Sequence, residues 1–153
     1  LSCELTDDTE LWLKKKQNQF EIITCLDVLE HIPKDLLIRF LKAIFNSLKK
    51  GGIVIFQVPN LQSPFGYLHH FNDITHINGF VENSLNQVLL SAGFKNISCF
   101  GFEELYEKTP KVFLKKILRF IFRKIVRLLR TINANPNPDI LDPVFYAVAH
   151  REG

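Results

Sequence analysis

The chain has 153 residues, 46% hydrophobic and 23% charged. That is the composition of one globular domain with a real core, and it excludes a disordered or low-complexity chain. The net charge is +3, yet nine Lys and Arg and no acid fall between Lys108 and Arg130, so the rest of the chain stands at −6 and the basic character belongs to one segment. Cys3, Cys25 and Cys99 are odd in number and widely spaced, which points to free thiols in a reducing compartment, the cytoplasm, rather than to disulfides or a cysteine metal site.

In chain order, Ser2 to Thr6 reads as the end of a strand, followed by an acidic turn at Asp7 and Asp8 and a short helix from Thr9 to Leu13. Either aspartate suits an N-cap. Phe20 to Cys25, rich in β-branched and aromatic side chains, predicts a strand buried in a parallel sheet. After the polar turn Asp27-Val28-Leu29-Glu30-His31, Pro33 suits a first helical turn. Leu36, Leu37, Phe40, Leu41, Ile44, Phe45 and Leu48 then mark one face of an amphipathic helix. Lys49-Lys50-Gly51-Gly52 predicts its end, with cations on the negative terminus and glycine in the left-handed cap, and Ile53 to Phe56 begins a second buried strand. A strand, helix and strand in this order form a right-handed parallel unit. That strand ends in Gln57 to Asn60, and the loop from there to about Asn78 collects aromatics, histidines and Asn; a helix from Glu82 to Ala92 capped by Gly93 and strands over Lys95 to Phe102 and Pro143 to His150 complete the pattern. In between, Pro110 opens a helix with Lys115, Lys116, Arg119, Arg123, Arg127 and Arg130 in one arc and large apolar residues opposite, ahead of a loop over 131–139. Charges every three or four residues keep it from spanning a membrane, and its apolar face does not suit a phosphate backbone, so nucleic acid is not the expected partner.

The stretch Cys25-Leu26-Asp27-Val28-Leu29-Glu30-His31-Ile32, the helix end Leu48 to Gly52 and the strand end Pro59-Asn60 resemble the middle of class I S-adenosylmethionine-dependent methyltransferases. The sub-pattern is similar to ubiquinone-biosynthesis O-methyltransferases and to bacterial methyltransferases associated with surface-glycan biosynthesis. The segment Phe71 to Phe80, FNDITHINGF, fits the second group better. The resemblance implies an α/β fold: the C-terminal portion of a Rossmann-like methyltransferase sheet, parallel strands followed by a terminal antiparallel hairpin. Residues 108–142, the basic helix and its loop, would be inserted between the last two strands of this partial domain, residues 1–153. No GxGxG occurs among the seven glycines, and the chain has no Met and begins with Leu1, so the expectation is a fragment whose cofactor-gripping turn lies upstream.

The resemblance also implies roles. The acid after the third strand of the family bonds the adenine of S-adenosylmethionine, here Asp8 with Asp7 adjacent, and Cys25, Leu26 and Asp27 stand at the strand end that contacts the cofactor. In some relatives an acid-x-x-Glu-His set binds Mg²⁺; Asp27, Glu30 and His31 keep those types at i, i+3, i+4, one side of a helical turn. The simpler expectation is no metal, with Glu30 and His31 bonding neighbouring backbone to fix the loop. His76, within the motif match, and after it His31, are the expected proton acceptors for a hydroxyl. The function implied is methyl transfer to a small-molecule or lipid-linked acceptor. The alternative is a non-catalytic methyltransferase-like module held at a membrane. Lys111 to Arg130 is expected on an anionic surface, the inner face of a membrane, because a helix of about 30 Å is longer than the hairpin it interrupts can readily cover; the other reading is a helix that covers the sheet edge or a dimer partner with its apolar side and keeps its charges in solvent.

Overall fold

The computed structural model describes residues 8–102 and 109–152. The expected strand over Ser2 to Thr6, and Asp7, lie outside them. Helix α1 (Thr9–Lys15) starts at Asp8, whose Oδ1 accepts from the Leu11 N–H at 2.9 Å. Strand β1 (Phe20–Leu26) leads through a short 3₁₀ turn, Leu29–His31, to α2 (Lys34–Ser47) and then β2 (Leu48–Pro59). Helices α3 (Gly66–Phe71) and α4 (Glu82–Ala92), strand β3 (Lys95–Gly101), helix α5 (Pro110–Ile132) and strand β4 (Val144–His150) follow.

The four strands lie in the order β1-β2-β4-β3, with β1 and β2 parallel and β4 antiparallel to both its neighbours. The expected parallel unit and terminal antiparallel hairpin are both present. Alternation dictates which side chains turn inward. Val54, Phe56 and Val58 of β2 and Phe145, Ala147 and Ala149 of β4 are buried on one face. Leu37, Phe40, Leu41 and Ile44 of α2 and Leu85 and Leu89 of α4 join the same core. Each of the larger side chains stabilises the fold by about 1.5–3 kcal/mol when fully buried. β1 is an edge strand among the described residues, and Ile22 and Leu26 on it are exposed, so the expected burial on both sides does not hold there.

Two boundaries differ from expectation, each for a physical reason. α2 stops at Ser47, before the Lys-Lys-Gly-Gly run, because Leu48 turns extended (φ −67°, ψ 148°) to pair with Phe20. The glycine conformation is used inside β2 instead: Gly51 takes φ +78° while its N–H bonds the Arg151 carbonyl at 2.8 Å. The last carbonyls around the α2 terminus are met from the far end of the chain, where Arg151 Nη1 donates to the carbonyls of Phe45, Asn46 and Leu48 and its guanidinium lies 5.1 Å from the Phe45 ring centroid. α3, absent from the expectation, begins where Gly66 passes so close to the Asn60 carbonyl that a Cβ would sit 1.8 Å from its oxygen. At α4, Val81 has no polar side chain to act as a cap, but Ser84 Oγ accepts from the Val81 N–H and donates to the Val81 carbonyl, both at 3.0 Å.

α5 is amphipathic as expected and faces in an unexpected direction. Its basic arc is the side turned toward the body: Arg123 pairs with the buried Asp142, Arg127 Nη2 reaches the Asp139 carbonyl, and Arg130 Nε the Pro136 carbonyl. No residue of the helix is buried. Phe113, Leu114, Leu118, Phe120, Leu128 and Ile132 all point outward and more than half exposed. No helix among the described residues is long and apolar enough to cross a membrane.

Candidate active site

The site forms where β1 ends. Asp27 takes a left-handed conformation, φ +52°, that turns the chain out of the strand. Its N–H donates to the Gln57 carbonyl at 3.1 Å and its Oδ2 accepts from Gln57 Nε2 at 2.8 Å, so its carboxylate is tied sideways to β2. The 3₁₀ turn then buries Leu29 and Glu30. The loop 72–80 is fastened over this turn from its backbone: Ile77 N–H and Asn78 N–H both donate to the Glu30 carbonyl, at 2.8 and 3.0 Å. Buried Asn78 adds two side-chain bonds, from Nδ2 to the carbonyls of Leu29 at 3.1 Å and Ile32 at 2.5 Å.

These bonds bring Glu30, His31 and His76 together, with one ligating-type atom from each lying within 4.8 Å of the others. Asp73 Oδ1 accepts from both the Thr75 N–H (2.9 Å) and the Thr75 hydroxyl (2.7 Å). Since that hydroxyl proton is committed, Thr75 Oγ1 is the acceptor in its 2.8 Å contact with His31 Nδ1. His31 Nδ1 therefore carries a proton, and Nε2 of the neutral ring holds the lone pair. The same reasoning fixes His76, whose Nδ1 meets the His70 carbonyl at 3.0 Å and must donate. Its Nε2 stands 4.0 Å from Glu30 Oε1 and 4.0 Å from Asp73 Oδ2. The two imidazoles meet edge to face, with centroids 4.6 Å apart.

Glu30 is the unusual member. It is 0% exposed, and neither carboxylate oxygen has a hydrogen-bond partner among the described residues. Burial pushes its carboxyl above the usual carboxylate range, and the charge of Asp27 adds to the shift. Asp73 moves the other way, lowered by the Thr75 hydroxyl and N–H it accepts from. The expectation that Glu30 and His31 would bond backbone through their side chains gives way to this arrangement. It is Glu30's own carbonyl that fastens the loop, and His31 is held by a hydroxyl. Asp27 stands apart from the metal-type group because its left-handed backbone and its bond to Gln57 remove it from the helical turn that the spacing implied.

The remaining predicted residues lie on a neighbouring cavity of about 750 Å³ between α1, β1 and α2. Asp8, Cys25 and Leu26 line it, along with Trp12, Val28 and Ile32. Val28 and Ile32 flank the turn that carries Glu30 and His31, so the cavity and the cluster share a wall. Burial, with the charge of Glu30 adding, pushes the Cys25 thiol up to about 12, which makes it an apolar wall atom and not a nucleophile. Trp12 and Leu13 wall the cavity, and the carboxylates of Asp8 and Glu10 stand on its α1 side.

Thr75, Asn78, Gln57 and His70 position the site, a role that the sequence pattern assigns to none of them. Asp73-x-Thr75 carried a readable signal, since an aspartate two residues before a threonine forms an Asx turn. The other three bond across 30 to 49 residues or through a backbone carbonyl, which no local spacing reveals.

The arrangement of strands agrees with what comparison finds. The profile of the methyltransferase domain family matches residues 4–99. A SAM-dependent methyltransferase from Archaeoglobus fulgidus superposes with a TM-score of 0.68 at 18% identity, over 95% of this chain and 66% of that one. A SAM-dependent methyltransferase from Thermotoga maritima, described as a possible histamine N-methyltransferase, gives 0.58 at 15% identity over 90% and 58%. Phosphoethanolamine N-methyltransferase 2 of Haemonchus contortus, in complex with S-adenosyl-L-methionine, gives 0.50 at 14% over 90% and 34%. The chain thus spans less than two thirds of the length of the last two and 66% of the first. No curated protein matches the sequence. With a family profile covering well over half of its length and a sheet that ends in the reversed hairpin, the chain belongs to the methyltransferase domain family.

Proposed function

We propose that the chain serves S-adenosylmethionine-dependent methyl transfer to a hydroxyl of a small-molecule or lipid-linked acceptor. The observation that carries this is His76, its Nδ1–H fixed on the His70 carbonyl and its Nε2 lone pair beside Glu30 and Asp73. S-adenosylmethionine supplies an already activated methyl group, so the protein's part is to orient the acceptor and take its proton. Asp8, Cys25, Leu26 and Trp12 would hold the adenine end, with Asp27 at the strand terminus. His76 Nε2 receives the hydroxyl proton and the two neighbouring carboxylates favour the imidazolium that results. His31, held by Thr75, is the second candidate.

The outward apolar face of α5 supports a lipid-linked acceptor reached at an anionic membrane surface, on the cytoplasmic side. Phe122 of α5 stacks on Phe65 at 5.9 Å, joining the helix to the loop that leads to His76. A cavity of about 230 Å³ lies between them, lined by His69, Arg123 and Asp142 among others. Lys111 and Lys124 flank the apolar face, where each basic residue near anionic lipid contributes about 1 kcal/mol. The test uses the full-length protein with tritiated methyl donor and a total lipid extract as acceptor source. Label should enter the organic phase, and His76→Ala should reduce it about 10²–10⁴-fold. A loss below threefold removes His76 from the chemistry, and no label with any acceptor leaves a non-catalytic module. Co-sedimentation with phosphatidylglycerol vesicles should occur at low salt and be lost in Phe113→Glu with Ile121→Glu. Protein that stays in the supernatant overturns the membrane part.

A further inference from the structure

We propose that Glu30, His31 and His76 form a binding site for a first-row divalent transition cation such as Zn²⁺, Co²⁺ or Mn²⁺. Three observations converge. One ligating-type atom from each residue already lies within 4.8 Å of the other two. Bonds of about 2.0–2.2 Å to a common ion set such atoms roughly 3–3.5 Å apart, so a closure of at most about 1–2 Å completes the set. Both histidines have the tautomer that ligation needs: Nδ1–H is committed to an oxygen, Thr75 Oγ1 at 2.8 Å for His31 and the His70 carbonyl at 3.0 Å for His76, which leaves Nε2 as the donor. Metal-ligating imidazoles are oriented in this way by their second nitrogen. Finally, Glu30 is 0% exposed with both oxygens unpartnered among the described residues, at a position where a buried carboxylate needs a counter-charge.

The donor set decides which ion. Two imidazoles and one carboxylate suit borderline first-row cations, whereas Mg²⁺ prefers oxygen ligands and keeps its waters. This set is also not the one that spacing suggested, since Asp27 is held by Gln57 and His76 arrives from a loop 45 residues further on. Three protein ligands leave positions open for an acceptor oxygen. Where the reading of this cluster as the acceptor site holds, the ion would lower the proton affinity of that oxygen and relieve His76 of taking the proton. Cation binding itself does not rest on that reading.

The test is titration of the full chain with Co²⁺, following its visible d–d absorption, with Zn²⁺ as competitor. One equivalent should bind saturably, Zn²⁺ should displace it, and millimolar Mg²⁺ should not. Loss of an orienting partner costs 10–100-fold in metal affinity, so Thr75→Val should weaken binding about tenfold and His76→Ala or Glu30→Gln at least about 100-fold. Asp27→Ala and His69→Ala should leave it unchanged. Should Glu30→Gln fail to fold by circular dichroism, His31→Ala carries the same expectation on a more exposed ring. No saturable Co²⁺ spectrum, or equal binding by wild type and His76→Ala, overturns the site. In either case, loss of methyl transfer in His76→Ala would still stand for the proton-acceptor role, so the two readings fail separately.

Discussion

Asn78 is the side chain on which the assembly of the site turns, and replacing it with alanine isolates that contribution. The amide donates to two carbonyls, Leu29 at 3.1 Å and Ile32 at 2.5 Å, and Asn78 is 4% exposed, so water cannot readily take its place. A net hydrogen bond is worth about 0.5–1.5 kcal/mol, and each carbonyl left unsatisfied in the interior costs about 1–3 kcal/mol. The Leu29 carbonyl keeps the Ile32 N–H at 3.3 Å, so only the Ile32 carbonyl loses its donor and Asn78→Ala should cost about 1–3 kcal/mol. Asn78→Asp should be worse, because it removes both N–H donors and sets an acceptor against two acceptors. With a urea slope of about 1–3 kcal/mol/M, the midpoint should fall by about 1 M. Equilibrium urea unfolding followed by far-UV circular dichroism measures it, and exposed Asn83→Ala, expected within about 0.5 kcal/mol of wild type, is the control. If Asn78→Ala matched that control, the loop would not be held to the 3₁₀ turn by this amide and the positioning argument for His76 would fall with it.

Gly66→Ala places a Cβ 1.8 Å from the Asn60 carbonyl oxygen, so it should lower the thermal midpoint by several degrees while Gly79→Ala, which meets only the flexible Leu61 side chain, should cost less; differential scanning calorimetry compares them. The Cys25 and Cys99 thiols, raised to about 12 and about 11, the first by burial and the Glu30 charge and the second by burial and the Glu82 charge, stay protonated at pH 8. Iodoacetamide should therefore label them far more slowly in native than in urea-unfolded protein, a comparison read by peptide mass spectrometry. Arg123→Met leaves Asp142 buried without its guanidinium and should cost about 1–3 kcal/mol, with faster tryptic cleavage in the 127–130 region as α5 loosens from the body.

Most of the sheet and two of its helices could be read from residue patterns because their signals are local. Leu37, Phe40, Leu41 and Ile44 repeat at helical spacing, Gly93 takes the left-handed cap at φ +108°, and the strands alternate on the faces they bury. The errors arise where a distant partner outweighs a local rule. Lys49 to Gly52 has every mark of a helix cap, but pairing of Leu48 with Phe20 claims the backbone first. A helical wheel sorts α5 into two arcs and cannot say which faces inward; the carbonyls of Pro136 and Asp139 and the Asp142 carboxylate decide that. In the site, His31 and His76 were identifiable as histidines in suggestive motifs. Their meeting over Glu30 depends on Asn78 and the Thr75 hydroxyl, contacts across 44 to 49 residues. Asp27 is drawn into the group by the resemblance together with its spacing, and its positive φ takes it out.

The guanidinium of Arg151 sets an order of events for folding. Its bonds to the Phe45 and Leu48 carbonyls reach across 106 and 103 residues of chain, so they form only once β4 has paired, whereas the Asn46 carbonyl already has the Asn18 N–H at 3.0 Å. During synthesis at about 5–20 residues per second, α2 waits several seconds in that unfinished state. Contacts of such sequence separation form late on the folding pathway, after loop closure has been met by other contacts. Loss of the Arg151 side chain should therefore leave the refolding rate nearly unchanged and appear as faster unfolding, which makes this one residue a latch on the lifetime of the native state.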